Sequence, residues 1–127
     1  MYRHNKYHAK KITIDGITFD SKHEAQRWLE LKRMQERKLI TELRRQVRFT
    51  LIPAQRGASP GVFKKGQHKG EAKPGKLLEN ECAYIADFVY YNGSEMVVED
   101  TKGVRTADYV IKRKLMLYVH GIRIREV

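Results

Sequence analysis

The chain has one cysteine, three prolines, one tryptophan and few acids: 15 carboxylates against 26 lysines and arginines in 127 residues. A lone Cys82 excludes an internal disulfide and a cysteine-based zinc site, and it suits a reducing cytoplasm. No apolar run approaches the roughly 20 residues of a membrane span, so no membrane partner is expected. The N-terminus, Met1 to Lys11, is basic without the apolar core of a signal peptide. The shortage of acids leaves a formal net charge of +11, which draws polyanions and makes nucleic acid the expected partner. A hydrophobic fraction of 41% and the length fit one globular domain, 1–127.

Residues 1–10 form a basic arm. Ile12 and Ile14, then Ile17 and Phe19, flank Asp15-Gly16, which predicts a short hairpin. Ser21 with Glu24 three residues later is a capping-box pattern. Ala25, Trp28, Leu29, Leu31 and Met34 follow at helical spacing, so a helix should run to about Arg37. Leu43, Val47, Phe49 and Leu51 alternate with polar residues, predicting a strand over 42–52 that ends at Pro53. Five of the nine glycines and two of the three prolines fall within 54–77, with Arg56, Lys64, Lys65, Lys69, Lys73 and Lys76 against Glu71. This reads as a long, basic, flexible loop that either touches a partner or is a tolerated insertion. Strands over 81–91 and 95–102 form a hairpin about Asn92-Gly93. A helix spans Thr106 to His120, with Ala107, Val110, Ile111, Leu115 and Tyr118 on its apolar face, and Gly121 stops it. Ile122, Ile124 and Val127 make a final buried strand. The order is a short hairpin, then α–β–β–β–α–β: an α/β fold with a mixed central sheet.

The acids are few enough to weigh singly. Asp87 lies in a stretch that otherwise belongs in a core, where an ionised carboxylate needs a partner. A two-residue turn at Asn92-Gly93 sets Asp87 opposite Val98 and Asp100 opposite Ile85. Asp87, Asp100 and Lys102 then share a face, with Asp87 diagonal to Asp100; a three-residue turn would substitute Glu99 and Thr101. Two carboxylates and a lysine on one face suit Mg²⁺ or Mn²⁺, and a plain internal salt bridge would use the same residues. Glu24 leans toward the sheet on the helical wheel, where it can join a metal or merely cap its helix.

Ser21-Lys-His-Glu-Ala25, Tyr84-Ile-Ala-Asp-Phe88 and Val98-Glu-Asp-Thr-Lys-Gly103 resemble the three motifs of a phage- and prophage-encoded branch of the PD-(D/E)XK nucleases. The resemblance extends from Asn5-Lys-Tyr-His8 nearly to the terminus. It implies a restriction-endonuclease-like core and a Mg²⁺- or Mn²⁺-dependent DNA endonuclease. Glu24, Asp87, Asp100 and Lys102 would be catalytic. Glu24, Asp87, Asp100 and the Thr101 carbonyl would be the metal ligands. The motif's proline is absent, since Ala86 precedes Asp87, and Glu99 stands beside Asp100 as a rival second acid. Relatives of this shape include Holliday-junction resolvases, transposon-end nucleases and restriction-like enzymes, so branched DNA and a homodimer are expected. A basic nucleic-acid-binding protein that keeps the fold without catalysis is the alternative. Arg44, Arg45, Arg48, Lys64, Lys65 and Lys112 are the candidate DNA contacts. Gln46 should share a face with Arg48 and border the site. His4, His8, His23, His68 and His120 lack metal-ligand spacing and read as surface residues.

Overall fold

The computed structural model describes residues 10–127; the basic arm, with His4 and His8, lies outside the described residues but for Lys10. Asp15 (φ 51°) and Gly16 (φ 78°) turn the chain between β1 (Ile12–Ile14) and β2 (Ile17–Phe19), as a two-residue hairpin with both centres left-handed requires. Ser21 caps α1 (Lys22–Glu36) by accepting from the Glu24 backbone N–H at 3.1 Å. The capping box is only half made, because the Glu24 carboxylate reaches the Asp20 N–H (3.3 Å), one residue before the cap.

Four strands form the main sheet in the order β3 (Thr41–Ile52), β6 (Cys82–Asn92), β7 (Glu95–Asp100), β8 (Arg125–Glu126). The first two pairings are antiparallel, and β7–β8 is parallel across α2 (Ala107–His120), so the sheet is mixed. Between β3 and β6 the stretch read as a loop carries a two-stranded ribbon, β4 (Gln55–Arg56) with β5 (Leu77–Glu79), extended by a bridge from Val62 to Ala72. Thr106 caps α2, and Gly121 at φ 66° ends it in the left-handed conformation that glycine adopts without strain. The last strand is shorter than expected: Ile124 is buried just before it, while the ladder uses Arg125 and Glu126.

Each helix covers one sheet face. Leu31, Trp28 and Met34 of α1 pack on Ile40, Phe88, Tyr90 and Val97. Tyr109 and Met116 of α2 pack on Leu51, Tyr84, Ala86, Val89, Val98 and Ile124. The face expected for α2 is corrected in part. Val110 and Leu115 do pack against the core, but Tyr109 and Met116 are the buried residues, whereas Ala107, Ile111 and Tyr118 are exposed, Tyr118 at 88%. The buried stripe is rotated from the one that periodicity marks, which leaves Val110 and Leu115 at its edges.

Even-numbered residues of β6 change sides along the strand. Tyr84 and Ala86 face α2, and Phe88 and Tyr90 face α1. On β3 the odd residues Val47, Phe49 and Leu51 face α2, while Arg45 lies over the Phe19 and Trp28 rings beside α1. The switch falls between the pairs Val47–Ala86 and Arg45–Phe88, where Gln46 adopts φ 50° opposite Asp87. A left-handed residue in a strand breaks alternation, as a bulge does.

The fully buried Glu99 faces α1, where Arg27 donates to both its oxygens (2.8 and 2.7 Å) and the Tyr90 hydroxyl donates to Oε2. This answers the rivalry between Glu99 and Asp100: Glu99 is on the opposite face from Asp100 and fully engaged. Arg27→Met strands a buried charge and should cost about 3–5 kcal/mol in urea denaturation. Adding Glu99→Gln, which still accepts from Tyr90, should recover most of that loss.

Candidate active site

The loop of the β6–β7 hairpin is Gly93-Ser94, since Asn92 pairs with Glu95. Gly93, at φ 64°, supplies the positive φ that a type II′ turn needs at its first central position. The expected turn at Asn92-Gly93 is therefore corrected by one residue, and the register moves by two. Parity survives this move. Continuing the Phe88–Glu99 pairing by one residue sets Asp87 directly opposite Asp100, not diagonal to it.

Asp100 is 2% exposed. Its Oδ2 accepts from the Tyr84 hydroxyl at 2.5 Å. Its Oδ1 lies 3.0 Å from Lys102 Nζ, at ion-pair distance but without hydrogen-bond geometry, and among the described residues no hydrogen bond reaches that buried oxygen. Lys102 Nζ also sits 4.3 Å from the centre of the Tyr109 ring, whose face attracts the cation. Asp87 Oδ2 accepts twice from Thr101, from its N–H and its hydroxyl, each at 2.8 Å. Burial, then the charge on Asp100, pushes the Asp87 carboxyl above the usual carboxylate range; the Thr101 bonds and Lys102 pull against this. Tyr84 and Tyr109 are driven upward chiefly by burial, Tyr109 to about 12, and both stay protonated at neutral pH; Tyr84 donates to Asp100, whereas the buried Tyr109 hydroxyl has no hydrogen-bond partner among the described residues.

Glu24 is 4% exposed on the first turn of α1. Its Oε1 accepts weakly from Gln46 Nε2 (3.4 Å) and lies 4.0 Å from an Arg45 nitrogen. Burial foremost, and then the charge on Asp87, raises its pKa from 4.5 to about 7.

Glu24, Asp87, Thr101 and Lys102 line one cleft of about 580 Å³ between the first turns of the two helices. Asp87 and Lys102 also border a smaller recess of about 260 Å³ with Asp100, Tyr109 and Lys112. The four acid and lysine positions singled out in the sequence thus meet around Asp87. Among the described residues, no three His, Cys, Asp or Glu side chains are gathered closely enough to hold an ion by themselves. The arrangement is a carboxylate pair, with Glu24 felt electrostatically at its edge. Such a pair, one oxygen of it buried without a hydrogen bond, fits a Mg²⁺-type ion that keeps several waters.

The expected DNA contacts divide. Arg44, Lys64 and Lys65 are exposed, and Lys112 borders the recess. Arg45 is committed to the Phe19 and Trp28 rings, and Arg48 to Glu81 (2.7 Å). Gln46 does border the site, but its left-handed backbone breaks the alternation that paired it with Arg48. Tyr84, Tyr109 and His23 line the site although their sequence context does not mark them as functional. The one available signal is that a phenol within an apolar run must find a buried acceptor.

The chain belongs to the family described as "Protein of unknown function (DUF1064)", which matches residues 4–125. No curated protein and no solved structure matches it. Among the described residues, no helix is long and apolar enough to cross a membrane.

Glu24 generates a pH test. Its folded pKa lies above its unfolded one, so the folded chain holds the extra proton between about pH 4.5 and 7. The contribution of this group to stability therefore falls as pH rises through that window, by on the order of 3 kcal/mol. Glu24→Gln should raise the urea midpoint at pH 8 in EDTA and leave it nearly unchanged at pH 4. Equal effects at both values would remove the burial penalty as its cause.

Proposed function

We propose that this protein is a Mg²⁺- or Mn²⁺-dependent endonuclease that hydrolyses DNA phosphodiester bonds. One observation carries the reading. The β6–β7 register, continued by one residue, opposes Asp87 and Asp100; Asp100 keeps one buried oxygen without a hydrogen bond from any described residue, and Lys102 stands beside it. Like charges held this close in a cleft call for a cation, and the chain's +11 field supplies the complementary attraction for a polyanion. The likeness of its three motifs to PD-(D/E)XK nucleases supports the same assignment and a restriction-endonuclease-like core.

Asp87 and Asp100 would hold the ion, with the Thr101 carbonyl and Glu24 at its margin. The bound ion supplies Lewis-acid stabilisation of phosphate charge and a more acidic water. Thr101 fixes the Asp87 carboxylate through two hydrogen bonds, and Tyr84 fixes that of Asp100. Lys102 is held against the Tyr109 ring, where its ammonium can neutralise charge developing on a phosphate oxygen. Arg44, Lys64, Lys65 and Lys112 contact the backbone, which positions DNA without reading its sequence. Branched DNA is the substrate proposed first, with a homodimer to cut two strands symmetrically. A phage or prophage setting and the cytoplasm accompany this reading.

A second reading rests on the same ion pair. If the bond from Lys102 to Asp100 is purely structural, the chain is a nucleic-acid-binding protein without catalysis. Incubation with a four-way junction, a duplex and single-stranded DNA, in Mg²⁺, Mn²⁺ or EDTA, separates the two. The nuclease cuts only with metal, and Asp87→Ala and Lys102→Ala each lower the rate about 100-fold or more while DNA binding in EDTA persists. Tight binding with no cutting under any of these conditions leaves the second reading standing.

A further inference from the structure

Strands β3 and β6 continue past the site into the ribbon formed by residues 55–79. Backbone bonds close it along its length: Gly57 N–H to Lys76 O (2.8 Å), Lys73 N–H to Gly61 O (2.8 Å) and Phe63 N–H to Glu71 O (2.9 Å). The Ser59 hydroxyl donates to Lys73 O (2.6 Å) and lies 2.9 Å from Gly61 O. Near the tip, Phe63 packs against His68, and Lys73 lies over its ring at 5.9 Å. At the neck the two backbones touch. A Cβ on the buried Gly75 would stand 1.9 Å from Gly57 O, so only glycine lets the strands approach this closely.

The ribbon carries six cations against two acids. One acid, Glu71, is paired with His68 at 2.8 Å. Lys64, Lys65, Lys69, Lys73 and Lys76 are all exposed and, among the described residues, have no carboxylate within salt-bridge distance. A two-stranded ribbon is narrow enough to enter the major groove of B-form DNA, which is about 12 Å wide, but not the deep, narrow major groove of an A-form duplex. Glu79, where the ribbon ends, precedes Asp87 by eight residues, at most roughly 27 Å of extended chain. The ribbon therefore starts within about eight base pairs of duplex from the site, at roughly 3.4 Å per base pair.

We infer that the 55–79 ribbon is a groove-entering grip for B-form duplex DNA, set beyond the carboxylate pair on the same two strands. It selects duplex arms by shape and holds them by charge. This rests on the DNA reading above, but its test needs no chemistry.

Affinities are measured in EDTA, across a salt series, for a DNA duplex and an RNA duplex of equal length. Wild type should favour the DNA by on the order of tenfold, since only B-form DNA admits the ribbon. Lys64→Ala/Lys65→Ala/Lys69→Ala/Lys73→Ala should lower the slope of log K against log salt by up to about 3.6, at about 0.9 for each phosphate no longer neutralised. Gly75→Ala keeps every cation but opens the neck; it should keep most of the slope and abolish the preference for DNA. Circular dichroism and urea midpoints confirm that each variant keeps the main sheet. An unchanged slope in the quadruple variant, or equal wild-type affinity for the two duplexes, overturns the inference. Either result can occur with metal-dependent cleavage intact. Failure of the nuclease reading instead appears as absent cleavage with the slope and the preference unaltered.

Discussion

Glu99 and Asp100 are adjacent in sequence, buried, and aimed at opposite faces of the sheet, and the architecture depends on how each carboxylate is answered. Removing a carboxylate from water costs several kcal/mol unless cations and hydrogen bonds replace the solvent. Glu99 is answered by Arg27, in a two-bond fork, and by Tyr90. That fork ties α1 to β7 at one point. Glu24, three residues before Arg27, is thereby held over the cleft, together with the core packing of Leu31 and Trp28. Asp100 is answered incompletely, by one tyrosine and one ion-paired lysine. The contrast between two neighbouring residues is informative: one is satisfied within the chain, and the other retains capacity for a ligand.

The second constraint is the reversal of sides at Gln46 and Asp87. In a regular strand, Tyr84, Ala86, Phe88 and Tyr90 would all face one helix, leaving the other with little to pack on. With the reversal, β6 gives Tyr84, Ala86 and Val89 to α2 and Phe88 and Tyr90 to α1. Asp87 occupies the crossover and borders both the cleft beside Glu24 and the recess beside Asp100. A left-handed Gln46 costs conformational energy. The return is a carboxylate reachable from both sides of the hairpin and from the first turn of each helix.

Much of this is legible in the sequence, because local chemistry acts locally. Ser21, Thr106 and Gly121 mark helix ends through single hydrogen bonds or a single backbone angle, and the structure places the ends there. The common face of Asp87 and Asp100 is legible because a two-residue slip preserves parity; their direct opposition is not, because Asn92-Gly93 and Gly93-Ser94 both make good turns. Periodicity alone places Val110 and Leu115 at the core but turns α2 too far, since Ile111 and Tyr118 satisfy the helical period as well as Tyr109 and Met116 do. Only the shape of the sheet decides between them. The glycines and prolines of 54–77 signal a loop when counted, yet Gly57 and Gly75 are what allow two backbones to meet in a ribbon. The reversal at Gln46 leaves no sign in the pattern, since glutamine in a strand is ordinary.

The distribution of charge follows from these packing decisions. A phosphodiester is repelled by Asp87 and Asp100, so the pair alone would exclude the substrate proposed for it. Two features offset that repulsion at different ranges. On the proposed reading Lys102 and Lys112 would act at short range from the border of the recess. The ribbon lysines would act from beyond it, where attraction is screened over about 8–10 Å at ordinary salt and so requires direct contact with the duplex. In the proposed nuclease a cation between the carboxylates would complete the sequence of charges, negative at the sheet, positive above it and negative again at the phosphate. The one buried oxygen of Asp100 without a hydrogen bond is the place where that alternation is still open.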